Sequence, residues 1–256
     1  RLILIDTGMG DKQDAKFFGH YYLHGTDTLD QSLSQHGFTR NDITDVFLTH
    51  LHFDHCGGAI KRDNDKLVPA FPNANYWSNA AHWDWAINPN EREKASFLKE
   101  NILPIQESGR LNFIQDGIIS ATHKDSNPLT AQLNTGTRDH DPANPLPVTN
   151  FIPGFAIRFA NGHTKNMMLP QLSYKGKTIV YMADLLPSQG HIPLPYVMAY
   201  DMFPLVSLQE KKSFLTEAVE KDYILYFEHD PVYECCTLQQ TERGIRPKDF
   251  FRLNEI

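Results

Sequence analysis

His50-Leu51-His52-Phe53-Asp54-His55-Cys56-Gly57-Gly58 places three imidazoles and a carboxylate within six positions. Nothing structural requires that density. With 12 histidines and 20 aspartates in 256 residues, an HxHxDH string arises by chance in roughly one such sequence in 500. The apolar run Asp45-Val46-Phe47-Leu48-Thr49 just before it reads as a buried strand that delivers the chain to this polar loop. Imidazole nitrogen and carboxylate oxygen are donors suited to Zn²⁺ and neighbouring first-row ions. On extended chain His50 and His52 project the same way, while Asp54 and His55 follow where the chain turns into the glycine pair and a helix start. One loop of this kind can feed two ions.

Working outward, Leu2-Ile3-Leu4-Ile5 reads as a short buried strand closed by the Asp6-Thr7-Gly8 turn, and Leu29 and Leu33 as a helix turn ending at Gly37. Two short helices are expected between Phe71 and Ile105, with Ala95, Leu98 and Ile102 on one face. From Ala121 to Asn150 the chain turns to Asn, Thr, Asp and Pro, which predicts a polar surface insertion or loop. Phe155 to Phe159, Lys177 to Ala183 and Tyr223 to Phe227 read as three further strands. Ser207 and Glu210 read as a capping box ahead of a helix lined by Leu208, Leu215 and Val219. This alternation of strand and helix predicts an α/β fold, and no repeat and no glycine-rich phosphate loop accompanies it.

Composition narrows the function. Lys+Arg total 24 against 31 Asp+Glu, a net charge of −7, with 41% hydrophobic residues; these values exclude wholesale disorder and argue against a nucleic-acid surface. No apolar run approaches the roughly 18 residues of a membrane span, so a small-molecule substrate is expected, with neither nucleic acid nor membrane as partner. Cys56, Cys235 and Cys236 are too few for a disulfide framework, which predicts buried free thiols, little redox chemistry and a cytoplasmic setting unless an export signal has been removed.

The loop at residues 50–58 resembles the signature of the metallo-β-lactamase superfamily, and the resemblance covers almost the whole chain. Gly162-His163-Thr164, Asp184 at the end of Ile179 to Ala183, and His229 after Tyr223 to Glu228 match further ligand positions of that family. The resemblance implies an αβ/βα sandwich, two mixed β-sheets with helices on the outer faces, formed by residues 1–256 as a single domain whose opening strands are absent from this chain. It implies two Zn²⁺, with Mn or Fe as alternatives. His50, His52 and His163 would hold one ion, Asp54, His55 and His229 the other, and Asp184 would bridge. Catalysis would use a bridging hydroxide, with Asp54 and Asp184 as the catalytic carboxylates, and Asp6 would steady the ligands from behind.

The fragments Phe38 to Val46, Ala183 to Pro187 and Phe227 to Pro231 resemble the N-acyl homoserine lactonase and methyl parathion hydrolase branch. Pro187 stands where many such lactonases carry a tyrosine, leaving Tyr196 or Tyr200 to take that place, and Gly162-His163-Thr164-Lys165-Asn166-Met167 departs from the GHTPGH of thioesterase-like relatives. His191, in the proline-rich loop after Asp184, is a further candidate for substrate contact. The remaining histidines read as structural or surface residues. Trp85, four residues after Ala81, is expected to face the core, and Trp83 a pocket wall or a homodimer face.

The function expected is a lactonase-like metal-dependent hydrolase acting on a cyclic or activated ester, with phosphotriesterase side activity. Its rivals are a phosphodiesterase or nuclease, a thioesterase or an iron-dependent oxidoreductase of the same fold, and a non-catalytic metal-binding domain.

Overall fold

The computed structural model describes residues 1–115, 118–120 and 146–256. The chain divides into two compact units, Arg1–Gln132 and Leu133–Ile256. Among the described residues no helix is long and apolar enough to cross a membrane.

The first unit runs β1 (Ile3–Ile5), α1 (Ala15–Gly19), α2 (Leu29–Gln35), β2 (Asp45–Phe47), α3 (Phe53–Cys56), β3 (Ile60–Asp63), β4 (Lys66–Pro69), β5 (Asn75–Ser78), α4 (Ala80–Ile87), α5 (Lys99–Glu107), β6 (Leu111–Gln115) and β7 (Ile118–Ser120). Its mixed sheet has the order β1-β2-β5-β6-β7, parallel until the last pair, and β3 and β4 form a separate hairpin. Parallel pairing matters for the site, because carboxyl ends of neighbouring strands open on one edge. Asp6 follows β1 and the histidine loop follows β2 at that edge. Val46, Leu48, Leu51, Phe71, Tyr76, Ile102 and Ile105 are buried beneath it in one core. Local signals agree with the helix starts: Thr28 and Gln31 form a reciprocal cap on α2, and the Asn79 side chain accepts the His82 N–H at the start of α4.

The second unit runs β8 (Val148–Ile152), β9 (Phe155–Ala160), β10 (Met167–Tyr174), β11 (Lys177–Tyr181), α6 (Pro204–Glu220), β12 (Ile224–Tyr226), β13 (Cys235–Thr241) and β14 (Gly244–Phe251). Its sheet has the order β14-β13-β12-β11-β10-β9-β8 and is antiparallel except between β11 and β12, which α6 connects. Leu169, Val180, Leu186, Phe214, Leu215 and Leu225 lie in its core.

Every strand read from the sequence is present, and two helices follow residue 71 as α4 and α5, but α5 starts only at Lys99 with Leu98 as its cap, so of the expected face only Ile102 is helical and Ala95 lies exposed in the preceding turn. The capping box at Ser207 and Glu210 is not there. Proline starts α6 at Pro204, where its missing N–H costs nothing, so Ser207 and Glu210 fall inside the helix and are buried. Of the polar stretch at 121–150, residues 121–145 lie outside the described residues, and Val148 already begins β8 rather than continuing a loop.

Candidate metal centre

In the first unit, His52 caps the single turn of α3 with extended backbone, which lets the loop change direction between His52 and Asp54. His50 Nε2 and His52 Nδ1 lie 3.1 Å apart, and the His50 and His55 rings have centroids separated by 3.9 Å. The opposite nitrogen of each ring is held. Thr49 donates its backbone N–H and hydroxyl to Asp6 and accepts from His50 Nδ1 at 3.1 Å. The carboxylate of Asp6 also takes His55 Nδ1 at 3.0 Å, and Glu93 takes His52 Nε2 at 3.0 Å while accepting the Trp85 indole N–H at 2.7 Å. Asp54 is the accessible carboxylate, its side chain 34% exposed and 3.8 Å from His55 Nε2.

The backbone beneath is packed to the limit. A Cβ on Gly57 would sit 2.0 Å from the Met9 carbonyl oxygen, and one on Gly58 2.2 Å from that of Thr7. Buried Lys12 donates to the Gly57 carbonyl, and Thr7 donates both N–H and hydroxyl to the His55 carbonyl. Asp6 itself has φ 54°, a left-handed conformation that a short polar side chain tolerates.

In the second unit, Asp184 follows β11 after Ala183, whose φ of 40° is strained for a residue with a Cβ. One Asp184 oxygen lies 3.1 Å from His163 Nε2 and the other 3.2 Å from His229 Nε2. His163 Nδ1 meets Asp201 at 3.1 Å. The backbone around His163 is gripped by residues leading into α6: Met202 and Phe203 donate to the carbonyls of His163 and Gly162, and Glu210 accepts the N–H groups of Asn161 and Gly162. Burial pushes Glu210 up to about 8 against the pull of those two N–H groups. His191 is half-buried with Nδ1 at 3.0 Å from the Ser188 hydroxyl. Burial, then Lys211, lowers its pKa, which keeps the ring neutral near pH 7.

These residues fit divalent metal. Among the described residues imidazole and carboxylate donors cluster in each unit: Asp6, His50, His52, Asp54 and His55 in the first, and His163, Asp184 and His229 in the second. In four of the five histidines one ring nitrogen is fixed by an oxygen, which sets the tautomer and turns the other nitrogen's lone pair inward. Two such lone pairs facing each other at 3.1 Å, on His50 and His52, repel unless a cation lies between them.

Several assignments from sequence change. Trp83 is buried in the core against Phe113 rather than lining a pocket, and Trp85 is the half-buried ring, so the two faces of α4 were exchanged. The reason lies in the α4 start at Asn79, which rotates Trp83 inward and aims Trp85 at Glu93. Tyr196 and Tyr200 are 61% and 79% exposed. An aromatic cluster that the sequence reading passed over lies on the histidine loop itself: Phe53 has the rings of Phe17 and Tyr21 at 5.3 and 4.9 Å. Glu93, Asp201 and Glu210 were also missed, since their partners are distant in sequence.

Comparison with known proteins fixes the class. The chain belongs to the metallo-beta-lactamase superfamily, whose family model matches residues 1–229, and it has the fold of metal-dependent hydrolases of that group. One similar solved structure is a probable metal-dependent hydrolase from Staphylococcus aureus, at 21% identity and TM-score 0.76, covering 97% of this chain and 76% of that one. Another is AidC, a dizinc quorum-quenching lactonase solved with the product N-hexanoyl-L-homoserine, at 23% identity and TM-score 0.69, covering 98% and 76%. A third is an N-acyl homoserine lactone hydrolase with product at its catalytic metal centre, at 19% identity and TM-score 0.59, covering 90% and 76%. No curated protein matches the chain.

Proposed function

We propose that this protein is a dinuclear metal hydrolase that opens a cyclic or activated ester, a lactone foremost, with phosphotriesters as secondary substrates. The observation that supports the reading is Asp184, whose two oxygens lie between His163 and His229, a placement that suits a carboxylate shared by two ions. His50, His52 and His163 would hold one ion, Asp54, His55 and His229 the second, and Asp184 both. Zinc suits this donor set, with manganese or iron as alternatives.

Bound ions would polarise the substrate carbonyl and make a water nucleophilic at neutral pH. The chain's own residues do the rest. Asp6, Thr49, Glu93 and Asp201 hold the imidazoles in fixed tautomers, so little reorganisation accompanies binding. Asp54, half-exposed beside His55, is suited to take the proton of the attacking water and return it to the leaving alkoxide as the ring C–O bond breaks. The rings of Phe53, Phe17 and Tyr21 offer an apolar surface for the substrate's organic group.

The test is turnover by metal-replete protein of γ-butyrolactone, short and long acyl homoserine lactones, a phosphotriester, bis-p-nitrophenyl phosphate and a glutathione thioester, with Asp184→Ala as control. Faster turnover of lactones than of the rest, abolished in the control, is expected. Cleavage of the diester alone would overturn the substrate class. Silence across the panel with two metals bound would overturn the hydrolase reading itself.

A further inference from the structure

Helix α6 carries two consecutive buried ionisable residues, Glu210 and Lys211, 0% and 1% exposed. Glu210 serves the backbone at Asn161 and Gly162. Lys211 does something different. Its ammonium donates to the carbonyls of Pro193 and Leu194 at 3.4 and 3.3 Å, and to that of Tyr196. Three N–H donors thus meet three carbonyls, and among the described residues no carboxylate pairs with it. Burying an ammonium is costly, and an aliphatic side chain would fill the same core position without that cost. The segment it holds explains the charge. Pro193 and Pro195 have no N–H, so apart from the turn bond from the Tyr196 N–H to the Pro193 carbonyl the segment has few donors of its own, and Lys211 meets the carbonyls of Leu194 and Tyr196 while sharing that of Pro193. The same loop carries His191 and the exposed Tyr196, and begins just beyond Asp184.

We propose that Lys211 is a positioning residue: it ties the 193–196 segment to α6 and so sets which substrates the loop admits to the site. The specificity half of this rests on the hydrolase reading above; the tether half does not. The shared helix separates two functions. Glu210 holds the backbone next to His163, so loss of Lys211 leaves the ligand in place and releases only the substrate-side loop.

The experiment compares the metal-loaded full chain with Lys211→Met. Amide hydrogen exchange across 189–200 is expected to accelerate by about tenfold or more, with 159–166, α6 and metal content unchanged. On a long-chain acyl homoserine lactone KM is expected to rise about tenfold with kcat nearly constant, whereas γ-butyrolactone, which has no chain to place, shifts by less than about twofold. Unchanged exchange at 189–200, or an equal loss on both substrates, would overturn the proposal. If the methionine variant does not fold, the wild type decides. A hydrogen-bonded Lys211 ammonium gives a slowly exchanging ¹⁵Nζ signal at pH 6, and a fast-exchanging one means that the tether does not exist. If the wild type hydrolyses no member of the panel, the hydrolase reading fails while exchange and the ¹⁵Nζ signal still decide the tether.

Discussion

A ligating histidine is useful only if its other nitrogen is tied down, and here that task falls to residues scattered along the chain. Glu93 is the clearest case. It is 3% exposed, 41 positions from His52, and shares its two oxygens between His52 and the Trp85 indole. If His52 is a ligand as proposed, Glu93→Gln is expected to weaken divalent-ion binding by about 10- to 100-fold while the fold persists, as loss of an outer carboxylate does elsewhere; competition with a chromophoric chelator reads this directly. Unchanged affinity would mean that Glu93 serves Trp85 rather than the metal. The histidine string was legible because its density is local, whereas Glu93 and Asp201 leave no local pattern and become visible only once the chain has folded. The thiols were legible too. Burial pushes Cys56, Cys235 and Cys236 each up to about 12, so a thiol reagent at pH 8 is expected to label essentially none of them until denaturant is added. Rapid labelling of the native protein would contradict that burial.

Strands and turns were read unevenly, for physical reasons. Strands β1, β2, β11 and β12 were found from their short apolar runs and β9 from the alternation of Phe155, Ile157 and Phe159, the two patterns that a sheet face in a core imposes on sequence. The hairpins β3–β4 and β13–β14 were not, since their exposed, mixed-polarity residues such as Lys61-Arg62-Asp63 and Gln239-Gln240 carry no clear period. The helix at α6 was found but started four residues late, because Ser207 and Glu210 match the cap pattern while both lie inside the helix, where Glu210 accepts the Gly162 N–H and Ser207 packs against Gly162. Turns are where the site is built. Gly57 and Gly58 follow the histidine loop because nothing larger fits against the Met9 and Thr7 carbonyls. Gly58→Ala is therefore expected to cost about 1–3 kcal/mol, the range for overpacking that forces the backbone to shift, measured by urea denaturation. A loss below about 0.5 kcal/mol would place the change among ordinary surface substitutions and show that the 6–10 loop yields freely.

At the scale of the whole molecule the acid limb of stability is open to argument from one ion pair. Arg158, 4% exposed on β9, makes a two-pronged contact at 2.8 Å with Glu217 of α6, whose side chain is 28% exposed. Burial alone would raise the Glu217 pKa, but hydrogen bonds from Arg158, then Lys221, and the guanidinium charge outweigh it and hold the group down from 4.5 to about 2. A carboxyl with a folded value below its unfolded one adds stability at every pH above the unfolded value, and the contribution fades as pH falls from 4.5 toward 2. At about 1.4 kcal/mol per pH unit, reduced for partial exposure, the pair contributes about 2–3 kcal/mol at neutrality. Glu217→Gln removes the charge while keeping the shape, so it mimics the protonated state. The variant is expected to be less stable by about that amount at pH 7 and to converge on the wild type by pH 2, as read from urea midpoints taken across the range. Parallel curves would mean that Arg158 is satisfied as well by Gln171 and Tyr223, its other partners, and that the acid sensitivity of this unit arises elsewhere.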